Sequence, residues 1–81
     1  MRRQDVERLT WVRELLAAGQ ARALREQAHL SRLEVALAVT GVTESAVARW
    51  ERGDRMPRTD AALRYARVLE RLAAPERTPA A

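Results

Sequence analysis

Five stretches of this chain carry their apolar residues at helical spacing, and turns or loops separate them. The first runs from about Asp5 to Ala17, with Val6, Leu9, Trp11, Val12, Leu15 and Leu16 apolar. At about 100° per residue these cover more than half of the helix circumference, wider than the stripe needed to face one core. Such a width asks for a second contact, supplied either by the rest of the same domain or by a second copy in a dimer. Gly19 ends or bends this helix, since glycine in a helix interior costs about 1 kcal/mol relative to alanine. Gln20 to Ala28 resumes the pattern with Ala21, Leu24 and Ala28 on one face, and His29 follows as a capping residue.

From Ser31 to Gly53 the sequence SRLEVALAVTGVTESAVARWERG reads as two short helices joined by a glycine turn. Ser31 is the expected N-cap of the first, and Glu34 three residues later completes a capping box. Val35, Ala36 and Val39 are its apolar positions, and Gly41 is expected to end it. Thr43 offers a hydroxyl as the next N-cap. In the second helix a wheel drawn from Thr43 turns Ala46, Val47 and Trp50 inward. Glu44, Ser45, Ala48, Arg49 and Arg52 point outward.

Arg52 to Arg58, RGDRMPR, is a loop by its glycine and proline. A last helix starts at Thr59 or Arg58, where Asp60 meets the positive end of the helix dipole. Its apolar stripe is Ala62, Tyr65, Ala66, Leu69 and Leu72. Arg64, Arg67 and Arg71 are expected on a solvated opposite face. PERTPAA, from Pro75, has no periodicity and is expected to be a frayed tail. No β-strand pattern and no internal repeat is present, so the expected fold is all-α.

Composition narrows the chemistry. Eighty-one residues make one small domain near the lower limit for a self-sufficient core. There is no cysteine and one histidine, so disulfides and thiolate metal sites are excluded and no metal or cofactor is expected. No nucleophile and base pair with supporting spacing is found, which argues against an enzyme. No run approaches the roughly 18 apolar residues that span a bilayer, and the start of the chain lacks a signal-peptide core. The expected location is the cytoplasm. All fifteen basic residues are arginine and the formal net charge is +4. That excess is compatible with a polyanionic partner, and arginine forks suit phosphate and guanine. The charge is spread almost evenly along the chain, so any basic patch must come from the fold.

Leu24 to Gln27, Leu30-Ser31, Ala36, Gly41-Val42, Ser45 to Arg49, Glu51-Arg52-Gly53, Pro57 and the final helix through Val68-Leu69 form one pattern. Together they resemble the helix-turn-helix family of phage Cro proteins and repressors, the xenobiotic-response-element type. The resemblance extends from about Gln20 to Leu72. It implies a five-helix, lambda-repressor-like arrangement with an extra helix at the N-terminus. Residues 1–18 are then an accessory or dimerisation helix, 19–74 the DNA-binding domain, and 75–81 a tail. In one respect the chain departs from the family: Ala36 and Gly41 are five apart instead of four, so either Thr40 is inserted or the helix runs longer.

The implied partner is double-stranded operator DNA, read by the helix after Thr43 in the major groove. Arg49 is the first candidate for a base contact, through guanine O6 and N7. Ser45 can exchange a hydrogen bond with a base, and Ala48 can meet a thymine methyl. Glu44 either accepts from a cytosine amino group or only favours its helix N-terminus. Ser31, Arg32, Thr43, Arg52, Arg55 and Arg58 are the candidate phosphate contacts. The resemblance also implies an ion pair between Arg25 and Glu51. A homodimer would place two reading helices about 34 Å apart on half-sites one turn apart. Two rival readings stay open: an excisionase-type winged-helix protein, whose wing needs two strands after Pro57, and an antitoxin or other protein-interaction module supported by the broad apolar face of the first helix.

Overall fold

The computed structural model describes residues 1–74, and the expected tail at 75–81 lies outside them. The described residues form five helices: α1 (Arg3–Ala17), α2 (Gln20–Gln27), α3 (Arg32–Val39), α4 (Glu44–Arg52) and α5 (Thr59–Ala73). No strand occurs among them.

Each boundary has a local cause. Gly19 adopts φ 72° and turns the chain from α1 into α2. At the end of α2 it is His29 that takes the left-handed conformation, φ 60°, a position more often filled by glycine. Its N–H donates to the Glu26 carbonyl at 3.0 Å, and that of Leu30 reaches back to Arg25 at 3.1 Å. His29 therefore caps α2 through its backbone.

Ser31 and Glu34 make both halves of the capping box at the start of α3. The Glu34 N–H donates to Ser31 Oγ at 3.0 Å, and the Ser31 N–H donates to Glu34 Oε1 at 2.8 Å. The hydrogen bonds from Ser31 hold the Glu34 carboxyl below its ordinary pKa. Thr43 caps α4, its Oγ1 accepting from Ala46 N–H at 3.0 Å.

The end of α3 departs from expectation. The helix stops at Val39, two residues before Gly41, and Thr40 turns out of it with φ 68° and ψ 144°. Gly41 follows at φ 73°. Two consecutive positive φ angles form the bend, so Thr40 belongs to the turn and not to α3. A threonine in this region of backbone space stores about 1–3 kcal/mol of strain.

The core draws on all five helices: Val12, Leu15 and Leu16 of α1, Ala21 of α2, Val35 and Val39 of α3, Val47 and Trp50 of α4, Tyr65 and Leu69 of α5. Trp50 and Tyr65 meet with ring centroids 5.1 Å apart and planes tilted by 41°, within the range of favourable aromatic pairs. α1 packs chiefly on α5 and also on α2, while α3 lies against α4 and α5. Arg8 of α1 is joined to Glu70 of α5 at 2.9 Å. The broad apolar face of α1 is therefore largely covered within the chain, by Leu9, Val12, Leu15 and Leu16 turning inward. Val6 remains half exposed.

Candidate nucleic-acid interface

On α4 the sequence alternates between what the core takes and what it leaves. Val47 and Trp50 are buried at 0% and 4% exposure. Glu44, Ser45 and Arg49 are exposed, and Ala48 is half-buried between them. These four side chains mark the outward surface of the helix N-terminal half. Thr43 and Ser31, exposed caps of α4 and α3, use their hydroxyl oxygens as acceptors and keep their hydroxyl protons for another partner.

Behind this surface lies a charged joint. Arg25 of α2 grips Glu51 of α4 with both arms of its fork, Nε to Oε2 at 2.6 Å and Nη2 to Oε1 at 3.0 Å. A third donor, Nη1, reaches the Leu30 carbonyl at 2.9 Å. The Glu51 side chain is only 2% exposed and that of Arg25 10%, so this is a desolvated bidentate pair and not a surface contact. The hydrogen bond to Glu51 raises the pKa of Arg25. Tyr65 is also affected: burial, then the Glu51 charge, pushes its hydroxyl well above the ordinary phenol range.

Arg32, expected at a phosphate, is tied into the same joint. Its Nε donates to Glu51 Oε1 at 3.2 Å, with the side chain still 38% exposed. One carboxylate therefore links α2, the start of α3 and α4. Arg52 pairs with Asp54 at 2.8 Å on the open surface, an interaction that contributes little to stability. Arg55 and Arg58 are exposed along the loop into α5.

One expectation is corrected here. Arg64 does not share a solvated face with Arg67: it is half-buried, and its Nε donates to the carbonyls of Val39 at 3.1 Å and Thr40 at 3.3 Å. Helical spacing on α5 alone places Arg64 opposite the apolar stripe. It carries no sign that the end of α3 lies there with unpaired carbonyls, although an arginine near a helix C-terminus is the residue such an end attracts.

Among the described residues no group of His, Cys, Asp or Glu side chains is arranged to hold a metal ion. No helix there is long and apolar enough to cross a membrane. The Helix-turn-helix family profile matches residues 22–72, from the first turn of α2 to the last turn of α5. The chain belongs to that family. No curated protein and no solved structure matches it. The family is a DNA-binding one; the match covers α2 from Arg22, all of α3 and α4, and α5 to Leu72, and α1 lies before the matched span.

Proposed function

We propose that the protein is a sequence-specific regulator of transcription, of the Cro or phage-repressor kind, which occupies operator DNA by inserting α4 into the major groove. The observation that carries this reading is the division of α4. Its inward residues are locked in the core and its Glu51 is held by two arginines, while Ser45, Ala48 and Arg49 stand outward on a helix whose N-terminus is open. An α-helix so presented fits a groove where every base pair shows a distinct donor and acceptor pattern.

In this reading Arg49 takes guanine O6 and N7, Ser45 exchanges a hydrogen bond with a base, and Ala48 packs on a thymine methyl. Glu44 accepts from a cytosine amino group or serves only its helix dipole. Ser31, Thr43, Arg52, Arg55 and Arg58 grip phosphates, together with the outer face of Arg32. Residues 19–74 are the DNA-binding domain, with residues 1–18 added as an accessory helix, and two copies bind half-sites about 34 Å apart. The site of action is the bacterial cytoplasm. A winged-helix excisionase is disfavoured, since α5 occupies the segment where a wing needs strands.

Selection of duplexes from a random pool, followed by fluorescence anisotropy on the enriched sequence, tests the proposal. Arg49→Ala is expected to cost about 1–3 kcal/mol on the selected duplex and to relax preference at one base pair. Enrichment with undiminished preference in the variant moves base reading away from Arg49. No enrichment at low salt favours the protein-interaction module.

A further inference from the structure

We infer that Arg64 is a positioning residue for DNA reading: from α5 it fixes the bend between α3 and α4, and so the angle at which α4 is presented, without touching DNA. The inference rests on the DNA-binding proposal above and adds a residue to it.

The argument starts at the bend. α3 ends at Val39, and the last carbonyls of a helix have no partner within it. At this end the usual remedy is weak. Thr40 leaves with φ 68° and ψ 144°, a conformation that β-branched side chains resist, and Gly41 continues at φ 73°. Left to itself such a bend has no reason to hold one geometry. Arg64 supplies it, with one N–H shared between the carbonyls of Val39 and Thr40. Its charge also faces the negative end of the α3 dipole.

The fit around the guanidinium is close. A Cβ at Gly41 would lie 3.3 Å from Arg64 Nη2, so the side chain passes directly over the turn glycine. Arg64 is anchored at its own base by Tyr65 and Ala66, both buried in the core that also holds Val47 and Trp50. The chain of contacts therefore runs from the core through Arg64 to the bend, and α4 begins four residues after Thr40. A change in the bend must tilt α4 or move its cap.

Arg64→Met and Arg64→Lys, assayed on the full chain, test this. Each is measured by anisotropy on the duplex selected by the unaltered protein and on a scrambled duplex, across a salt series. Arg64→Met is expected to weaken binding to the selected duplex by about tenfold, the scale of one charge-assisted hydrogen bond. The scrambled duplex is expected to change by less than about twofold, with the salt slope unaltered, because no phosphate contact is lost. Arg64→Lys, which keeps a charged donor, is expected to recover part of the loss. A variant that weakens both duplexes alike and lowers the salt slope by about one makes Arg64 a phosphate contact and overturns the inference. So does a variant with no effect on either.

If the unaltered protein selects no duplex, the DNA-reading role falls with the proposal, and amide hydrogen exchange still reads the bend. Arg64→Met then speeds exchange at the Thr40 amide, which donates to the Ala36 carbonyl at 3.0 Å, more than at the amides of α2 if Arg64 holds the bend. Equal protection in the two proteins rejects that role as well.

Discussion

The two ends of α3 are secured in opposite ways. At the N-terminal end the caps are neighbours in sequence: Ser31 and Glu34 exchange two hydrogen bonds three residues apart, and Arg32 next to them reaches a carboxylate. At the C-terminal end the chain's own neighbourhood serves only the Ala36 carbonyl, through the Thr40 N–H at 3.0 Å. The carbonyls of Val39 and Thr40 are met by Arg64, 25 and 24 residues further along the chain. A local cap forms as soon as the helix does, whereas a remote one exists only once α5 has docked. The first end is therefore a property of the segment and the second a property of the tertiary fold.

The largest expected effect sharpens the first half of that contrast. Glu51→Ala removes the common partner of Arg25 and Arg32 and leaves Arg25 buried without its counter-charge, at a cost of about 3–5 kcal/mol. For a domain whose total stability is about 4–12 kcal/mol, urea unfolding should show a variant close to the edge of folding. A loss below about 1 kcal/mol would mean that the joint is solvated and that α3 is held at this end by its cap alone.

Next in size is the cap itself. Ser31→Ala is expected to destabilise by about 1 kcal/mol in the same measurement. This contribution should also depend on pH. The Glu34 carboxyl is held below its ordinary pKa by Ser31, so the unfolded chain takes up its proton first as the solution is acidified. The stabilisation from Glu34 is thus complete above the unfolded carboxylate value of about 4.3 and fades as pH falls past the lower, folded one. Comparing Glu34→Gln with the unaltered protein from neutral to acidic pH should show a difference in melting temperature that closes on the acid side. A difference that stays constant with pH would assign the effect to helix propensity.

The smallest effect breaks the contrast from the other side. Thr40→Gly relieves the strain of a β-branched residue at φ 68°, worth about 1–3 kcal/mol, against a backbone entropy cost of about 0.5–1 kcal/mol for glycine. A net gain of about 1 kcal/mol in unfolding free energy is expected. No gain would mean that Arg64 stabilises Thr40 in its present conformation as fully as a glycine would be.

The same contrast explains what the sequence discloses. The five helices, the N-caps at Ser31 and Thr43, and the inward positions Val47 and Trp50 follow from periodicity and from bonding over three or four residues. The end of α3 does not. Its stop at Val39 depends on where α5 lies, and the extra residue before Gly41 allows two readings until the backbone angles of Thr40 are known. Arg32 and Arg64 are hard to place for one shared reason: a long flexible cation on a helix surface looks solvated from its own segment, and only packing decides which carboxylate or carbonyl it meets. His29 is a milder case, since its place after α2 marks it as a cap but not that its backbone is what does the capping. The outward face of α4 is visible from a helical wheel, yet which of its side chains meets a base depends on a partner outside the fold.

The aromatic pair in the core has a practical consequence. The ring of the single tyrosine, Tyr65, lies 5.1 Å from that of Trp50, and the other tryptophan is Trp11 on α1. Excited Tyr65 in the folded protein should pass its energy to Trp50, and its own ultraviolet emission should reappear on unfolding. With Trp11→Phe the remaining indole sits on α4 itself. That variant carries a built-in optical gauge of the helix proposed to enter DNA, read without any attached dye.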